Sequence, residues 1–245
     1  MREFFVGKKD LLETFGIVHL ICILIVVIGI VFIVINRKKI YSLSDKTKRK
    51  ITIFLIAIMF LNMSIYYLSE IIYGTYDYKT NLPFHFCFIS GYLFMYAWFF
   101  KKKSLIKITY FLGYIGPLVA IIWPDVYPPN SFVFYQFFIS HHLFLCGNLF
   151  LYYAYNYKIE KKDVIRTFVF INAVFIFMCG FNYIFKTNYI MSNSLPEFFL
   201  ELYPIFRKID YPAVLLEVAA ILIMLIAYIP VYFNKNCLHK QKNLL

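Results

Sequence analysis

Residues 16–35 read GIVHLICILIVVIGIVFIVI, a run without a single charged side chain. About 20 apolar residues let a helix cross the hydrocarbon core of a bilayer, and this run has that length. The chain is 62% hydrophobic with a mean hydropathy of +0.69, whereas soluble domains are roughly half apolar. Six further apolar runs follow, at 51–73, 83–100, 105–123, 131–154, 164–186 and 211–233. The sequence therefore predicts an all-α polytopic membrane protein with seven transmembrane helices.

The basic residues are distributed unevenly between the connections. Of the 25 Lys and Arg residues, 18 lie in 37–50, 101–107, 158–166 and the tail at 235–242. Because Lys and Arg accumulate in cytoplasmic loops, this pattern predicts that the N-terminus is outside and the C-terminus is cytoplasmic. No linker divides the chain, so we expect residues 1–245 to form a single seven-helix transmembrane domain in the cell membrane.

The charge and the cysteines exclude several other classes of protein. The net charge of +12 is explained by the cytoplasmic loops, and no basic–aromatic recognition module is present, so we expect no nucleic-acid partner. The five cysteines form no CxxC motif, and four lie in apolar runs, which argues against a zinc knuckle and against structural disulfides. We expect neither a metal nor a cofactor. A zinc site formed by His85, His141 and His142 stays open as an alternative, although the spacing of these residues matches no recognisable zinc motif.

Polar side chains inside the apolar runs gather towards the predicted outer ends of the helices. A bilayer interior tolerates such groups only when they are paired, hydrated or functional. Six of the seven predicted helices contribute to this outer layer, which predicts a cavity that opens outwards. Its members are His19, Glu70, His85, Cys87, His141, Asn182 and Glu217.

Helix geometry restricts which of these groups can react together. Residues two apart on a helix point about 200° from each other, so Cys87 needs a base from another helix rather than His85. His141 is the natural candidate for that base. His142 is rotated by about 100° from His141 and shares a helix face with Cys146, which forms a rival pair. Pro83 suits a first helical turn, which would place Cys87 just beyond that turn.

Several collinear motifs resemble the bacterial YwaF-like integral membrane family, whose seven-helix members are related to animal transmembrane protein 164. The matching stretches span nearly all of the helices. They are GIVHL (16–20), NLPFHFC (81–87), WPDVYP (123–128), FYQFFISHH (134–142), NYIFKTNYI (182–190), and the ending that contains LELYPIF (200–206) and DYPAVLLEVAAILIMLIAYIP (210–230). The resemblance implies a bacterial plasma membrane as the location.

The resemblance also implies an acyltransferase or lipid-ester hydrolase that acts on membrane lipids through an acyl thioester. Cys87 corresponds to the nucleophile and His141 to the base, although SHH stands here where the family more often has SHG, which leaves His142 as an alternative base. Hydrogen bonds to the oxyanion would come from Asn182, His85 or Gln136, and His19 and Glu217 would support the site. The lipid species and the oligomeric state stay open.

A non-enzymatic function is the alternative prediction. His141, His142 and Glu217 could relay protons in a small-solute or proton-coupled transporter or a receptor. The chain shows no internal repeat of the kind found in many transporters, and the last apolar run has no interior lysine for a Schiff base.

Overall fold

A computed structural model describes residues 2–6, 11–208 and 212–242, and the side chains of these residues apart from residue 6 and residues 234–242. Within these ranges the regular secondary structure is entirely helical. The α-helices are α1 (Arg2–Val6), α2 (Ile17–Ile35), α3 (Arg37–Tyr41), α4 (Asp45–Ile72), α5 (Phe86–Phe99), α6 (Lys103–Ile122), α7 (Phe132–His142), α8 (Asn148–Tyr155), α9 (Lys161–Phe185), α10 (Glu197–Leu202) and α11 (Pro212–Lys242).

Five of the described helices are long and apolar enough to cross a membrane. They are α2, α4, α6, α9 and the part of α11 at 212–233. Helix α5 is apolar but has only 14 residues. A π-helical segment, Leu143–Gly147, joins α7 to α8 and makes 132–155 one uninterrupted helical run. All seven predicted apolar runs are therefore helical, and five of them meet the length criterion for a span.

The helix starts follow from local sequence. Ser44 and Ser131 lie just before α4 and α7, and each side chain accepts a hydrogen bond from a backbone N–H of the first turn, which satisfies a donor that has no helical partner. Glu160 and Asp163 form a reciprocal capping box at the start of α9. Each start is fixed by residues adjacent to the apolar run rather than by the run itself.

The connections gather at two ends of the helix bundle, and we call these the loop-rich end and the basic end. At the loop-rich end Leu12 donates its backbone N–H to the carbonyl oxygen of Val126, and Leu82 donates to the hydroxyl of Tyr189. At the basic end Lys107 pairs with the buried carboxylate of Asp163 at 3.2 Å. The basic connections between α2 and α4, between α5 and α6, and between α8 and α9 lie together at this end.

Close helix packing in the interior depends on glycine at one position of α6, Gly113. A side chain at Gly113 would place its Cβ 2.1 Å from Nδ2 of the fully buried Asn148. A Cβ at Gly116 would lie 3.9 Å from the Cα of Cys87, in ordinary contact. Large apolar side chains of α2, α4, α9 and α11 are exposed around the bundle, as expected for a surface that faces lipid.

Two glycine-to-alanine variants test this packing. In Gly113→Ala the new methyl group collides with Asn148, so we expect the free energy of unfolding to fall by about 1–3 kcal/mol, the usual cost of overpacking. Gly180→Ala is the matched control, because a Cβ there meets nothing within 4 Å and alanine favours a helix over glycine by about 1 kcal/mol. Thermal unfolding in detergent should rank Gly180→Ala at or above the parent and Gly113→Ala below it. Equal stability of the two variants would contradict the packing.

Candidate active site

Cys87 lies inside the first turn of α5. The helix begins at Phe86 with His85 as its N-cap residue, so the expectation that Cys87 follows the first turn is wrong. Hydrogen bonds among residues 77–84 hold the chain before His85 in an irregular loop. The helix therefore begins after Pro83 rather than at Pro83. The first turn of a helix carries partial positive charge and free N–H groups. These N–H groups can donate to a negative charge on the sulfur of Cys87, which offsets part of the cost of burying that charge.

His141 is one of several buried polar side chains whose hydrogen bonding is incomplete among the described residues. Its side chain is 4% exposed, and Nδ1 lies 2.6 Å from the carbonyl oxygen of Phe137. A carbonyl can only accept, so Nδ1 carries the proton and Nε2 of the neutral ring has a free lone pair. Among the described residues Nε2 has no hydrogen-bond partner. The imidazole is thus oriented as a base with its accepting nitrogen available.

Cys87 and His141 lie at a similar depth on helices that run in the same direction. Both α5 and α7 start at the loop-rich end, and the ring of Phe144 reaches the backbone of Gly91, where a Cβ would lie 2.9 Å away. Cys87 precedes Gly91 by four residues and His141 precedes Phe144 by three, so both lie about 5 Å above this contact at 1.5 Å per residue. Residues at these spacings share a helix face. Cys87 and His141 therefore lie at about the same depth in the bundle, on α5 and α7 respectively.

The thiol of Cys87 is not hydrogen-bonded to Nε2 of His141, since that nitrogen has no partner within the described residues. Catalytic hydrogen bonds are often long without substrate and tighten only in the reacting complex. Beneath this pair a layer of buried apolar side chains fills the space towards the basic end. The layer consists of Met59, Met63, Phe94, Met95 and Phe144, and it separates the level of Cys87 from the basic end.

His142 and Cys146, the rival pair, both point to α2. In His142, Nδ1 contacts the carbonyl oxygen of Phe138, and Nε2 lies 2.9 Å from the carbonyl oxygen of Cys22. The sulfur of Cys146 lies 4.0 Å from the carbonyl oxygen of Val26, one turn further along α2. Each ring nitrogen of His142 faces a carbonyl oxygen, so neither nitrogen is open to a thiol. His142 therefore links two helices, whereas Nε2 of His141 has no partner among the described residues.

His19 also links helices rather than facing Cys87. Its side chain is fully buried, Nδ1 accepts the backbone N–H of Phe15, and Nε2 donates to the carbonyl oxygen of Ile121. Both nitrogens are satisfied by one neutral tautomer. His19 thus joins the start of α2 to the end of α6.

Asn182 organises the loop-rich end. Its Nδ2 donates both protons, to the carbonyl oxygen of Tyr189 and to Ser192, and its Oδ1 accepts from Thr187 and from the backbone of Tyr189. The hydroxyl of Tyr189 then donates to the carbonyl oxygen of Tyr78. Asn182 has no free N–H for an oxyanion, so the structure does not support that predicted role. Through Tyr189, these hydrogen bonds connect the 187–192 loop to the loop that leads into α5.

The other predicted supporting residues lie in three different places. His85 contacts the carbonyl oxygen of Thr80 through Nε2 and points into its own loop. Gln136 donates through Nε2 to Ser140 at 3.3 Å, and Asn62 of α4, which sequence reasoning missed, donates to the same hydroxyl at 2.6 Å. Glu217 is exposed on α11, so it does not join the polar layer that the sequence predicted.

Two tyrosines of α4 adjoin Cys87 and were not predicted from the sequence. Tyr66 and Tyr67 both pack their rings against Phe88, the residue that directly follows Cys87. The hydroxyl of Tyr66 accepts a hydrogen bond from Asn81, whereas the buried hydroxyl of Tyr67 has no partner among the described residues. No sequence motif marks Tyr67 among the 22 tyrosines of the chain.

An apolar groove of about 460 Å³ runs between α5 and α9. On α5 it is lined by Ile89, Tyr92, Leu93 and Tyr96, which lie on the face opposite Cys87 at about 100° per residue. The open groove therefore lies on the side of α5 away from Cys87. Among the described residues no group of three or more His, Cys, Asp or Glu side chains is placed to hold a metal ion.

The order of these elements along the chain agrees with one known family. A sequence model of the TMEM164 family matches residues 13–228. The chain belongs to the TMEM164 family. This confirms the relationship to transmembrane protein 164 that the motifs predicted, and the match includes both Cys87 and His141. TMEM164 membership indicates a membrane protein, in agreement with the apolar helices. No curated protein and no solved structure matches the chain.

Proposed function

We propose that this protein is a membrane-embedded acyltransferase or lipid-ester hydrolase that acts on phospholipids or related acyl lipids. The observation that carries this proposal is the Nε2 atom of the buried His141, which has no hydrogen-bond partner among the described residues. His141 lies at about the same depth in the bundle as Cys87. A base with an available lone pair near a thiol is the arrangement needed for an activated nucleophile. The apolar surroundings suit a lipid substrate, and no cofactor enters the proposed chemistry.

The reaction proceeds in two balanced steps. The Cys87 thiol transfers its proton to Nε2 of His141 while the sulfur bonds to the ester carbonyl carbon, and the tetrahedral intermediate then breaks its C–O bond. His141 returns the proton to the departing alkoxide, which leaves as an alcohol. In the second step a lipid hydroxyl or water gives its proton to His141 and attacks the thioester, and the sulfur leaves and regains a proton as the Cys87 thiol.

The apolar layer below the pair supports this chemistry. The contact between Phe144 and Gly91 keeps water from reaching the pair from the basic end. Exclusion of water strengthens electrostatic stabilisation of the developing charges and favours transfer of the acyl group to a lipid hydroxyl over hydrolysis. Access for a headgroup or for water is then from the loop-rich end.

We propose further that α5 and the 132–155 run also cross the membrane, which gives seven spans with the loop-rich end outside. The 24-residue length of 132–155 is sufficient for a span, and α5 starts from a loop that lies at the same end as the other outer connections. We propose that the chain belongs to the YwaF-like bacterial branch and lies in the bacterial plasma membrane. Both assignments rest on the sequence resemblance.

Labelling of introduced cysteines tests the orientation. Lys79→Cys lies in the loop before α5, and Lys102→Cys lies in the short loop after it. With intact cells, a membrane-impermeant maleimide should label position 79 and not position 102, and lysis should expose both. The parent protein controls for the native cysteines. Labelling of both positions in intact cells would show that α5 does not cross the membrane.

Acyl transfer from a labelled phospholipid tests the catalytic pair. Removal of the nucleophile or of the base blocks thioester formation, so Cys87→Ser and His141→Gln should each reduce transfer by at least about 100-fold, the usual range for acid–base and nucleophilic groups. His142→Phe is the matched control, because it removes the neighbouring imidazole, whose nitrogens both contact carbonyl groups. It should lower thermal stability modestly and retain transfer per folded molecule. Full activity of Cys87→Ser and His141→Gln would end the proposal.

A further inference from the structure

Attack by Cys87 on an ester places a negative charge on the former carbonyl oxygen. In an environment that excludes water, this oxyanion needs hydrogen-bond donors that are already in position, and the loss of one such donor costs about 10²–10³-fold in rate. Of the candidates that the sequence suggested, Asn182 uses both amide protons in the 187–192 loop, His85 contacts Thr80, and Gln136 donates to Ser140. A donor that is not engaged within the protein is therefore of particular interest.

The hydroxyl of Tyr67 is such a donor. It is buried, and no acceptor lies within hydrogen-bonding distance among the described residues. Leaving a hydroxyl unpaired in an apolar environment costs free energy, so the position favours any ligand that brings an acceptor. Nearby Tyr66, on the same helix, already accepts a hydrogen bond from Asn81.

The position of Tyr67 relates this donor to the reacting groups. Its ring packs against Phe88 with centroids 5.4 Å apart, and Phe88 directly follows Cys87. On α5, Tyr92 lies one turn beyond Phe88 and lines the apolar groove. Phe88 is rotated by about 100° from Cys87, so Tyr67 packs against the side of α5 that lies between the face of the thiol and the face of the groove.

We propose that the Tyr67 hydroxyl donates a hydrogen bond to the oxyanion of the acyl lipid, together with the backbone N–H groups of the first turn of α5. This assignment rests on the proposed function and adds a catalytic residue on α4. Tyr67 transfers no proton in this scheme, because its hydrogen bond strengthens as charge develops and weakens when the thioester forms. The catalytic centre then combines residues of α4, α5 and α7, which explains why these helices meet at the level of Cys87.

Tyr67→Phe tests this proposal because it removes only the hydroxyl. Single-turnover acylation of Cys87 by a labelled phospholipid should fall by about 100-fold or more. Tyr157→Phe is the matched control, since its hydroxyl is also buried without a partner among the described residues but lies at the basic end against Trp98 and Tyr152. It should acylate at the parent rate.

A second measurement separates catalysis from a structural effect. Alkylation of Cys87 by iodoacetamide needs the thiol but forms no oxyanion, so its rate, followed by peptide mapping, should be the same in Tyr67→Phe and the parent. Normal acylation in Tyr67→Phe, or an equal loss of acylation and alkylation, would overturn the role of Tyr67 alone. Failure of the parent protein to acylate at Cys87 would instead overturn the proposed function, on which this inference rests.

Discussion

A polar atom buried in an apolar helix bundle must find a partner within the protein, and this constraint organises the whole molecule. Unsatisfied polar groups in hydrocarbon cost several kcal/mol each. His19 and Asn182 meet the requirement completely, and in doing so they join α2 to α6 and close the 187–192 loop. His141 and Tyr67 leave one polar atom each without a partner in the described ranges. An unpartnered polar atom near the level of Cys87 is thus available to a substrate, whereas the unpartnered atoms of Trp98 and Tyr157 lie at the basic end.

The satisfied residues still contribute to the candidate site, because they fix its surroundings. The hydrogen bonds of Asn182 hold Tyr189, and Tyr189 contacts the loop that precedes α5 at both Tyr78 and Leu82. That loop sets where α5 begins, and the start of α5 sets the place of Cys87 in its first turn. Substitutions at Asn182 would therefore act on catalysis through the position of the helix rather than through contact with a substrate.

The apolar runs of the sequence were sufficient to predict the helices, since all seven runs are helical and five meet the criterion for a span. Sequence spacing also separated His141 from His142 on the helix surface, but it could not show which imidazole was occupied, because this depends on the carbonyl oxygen of Cys22, 120 residues away. We predicted that Glu217 belongs to a polar layer at the outer helix ends, but its side chain is exposed on α11. Tyr67 was missed because its role depends on packing against Phe88 and not on any motif.

The central claim is that Cys87 of α5 and His141 of α7 act as one nucleophilic pair. Intact-protein mass spectrometry with peptide mapping after brief incubation with phospholipid tests this claim most directly. The account predicts an acyl group, labile to hydroxylamine, on the peptide that contains Cys87, and its absence from that peptide in His141→Gln. An acyl group on Cys146, or equal acylation of Cys87 with and without the imidazole of His141, would contradict the account.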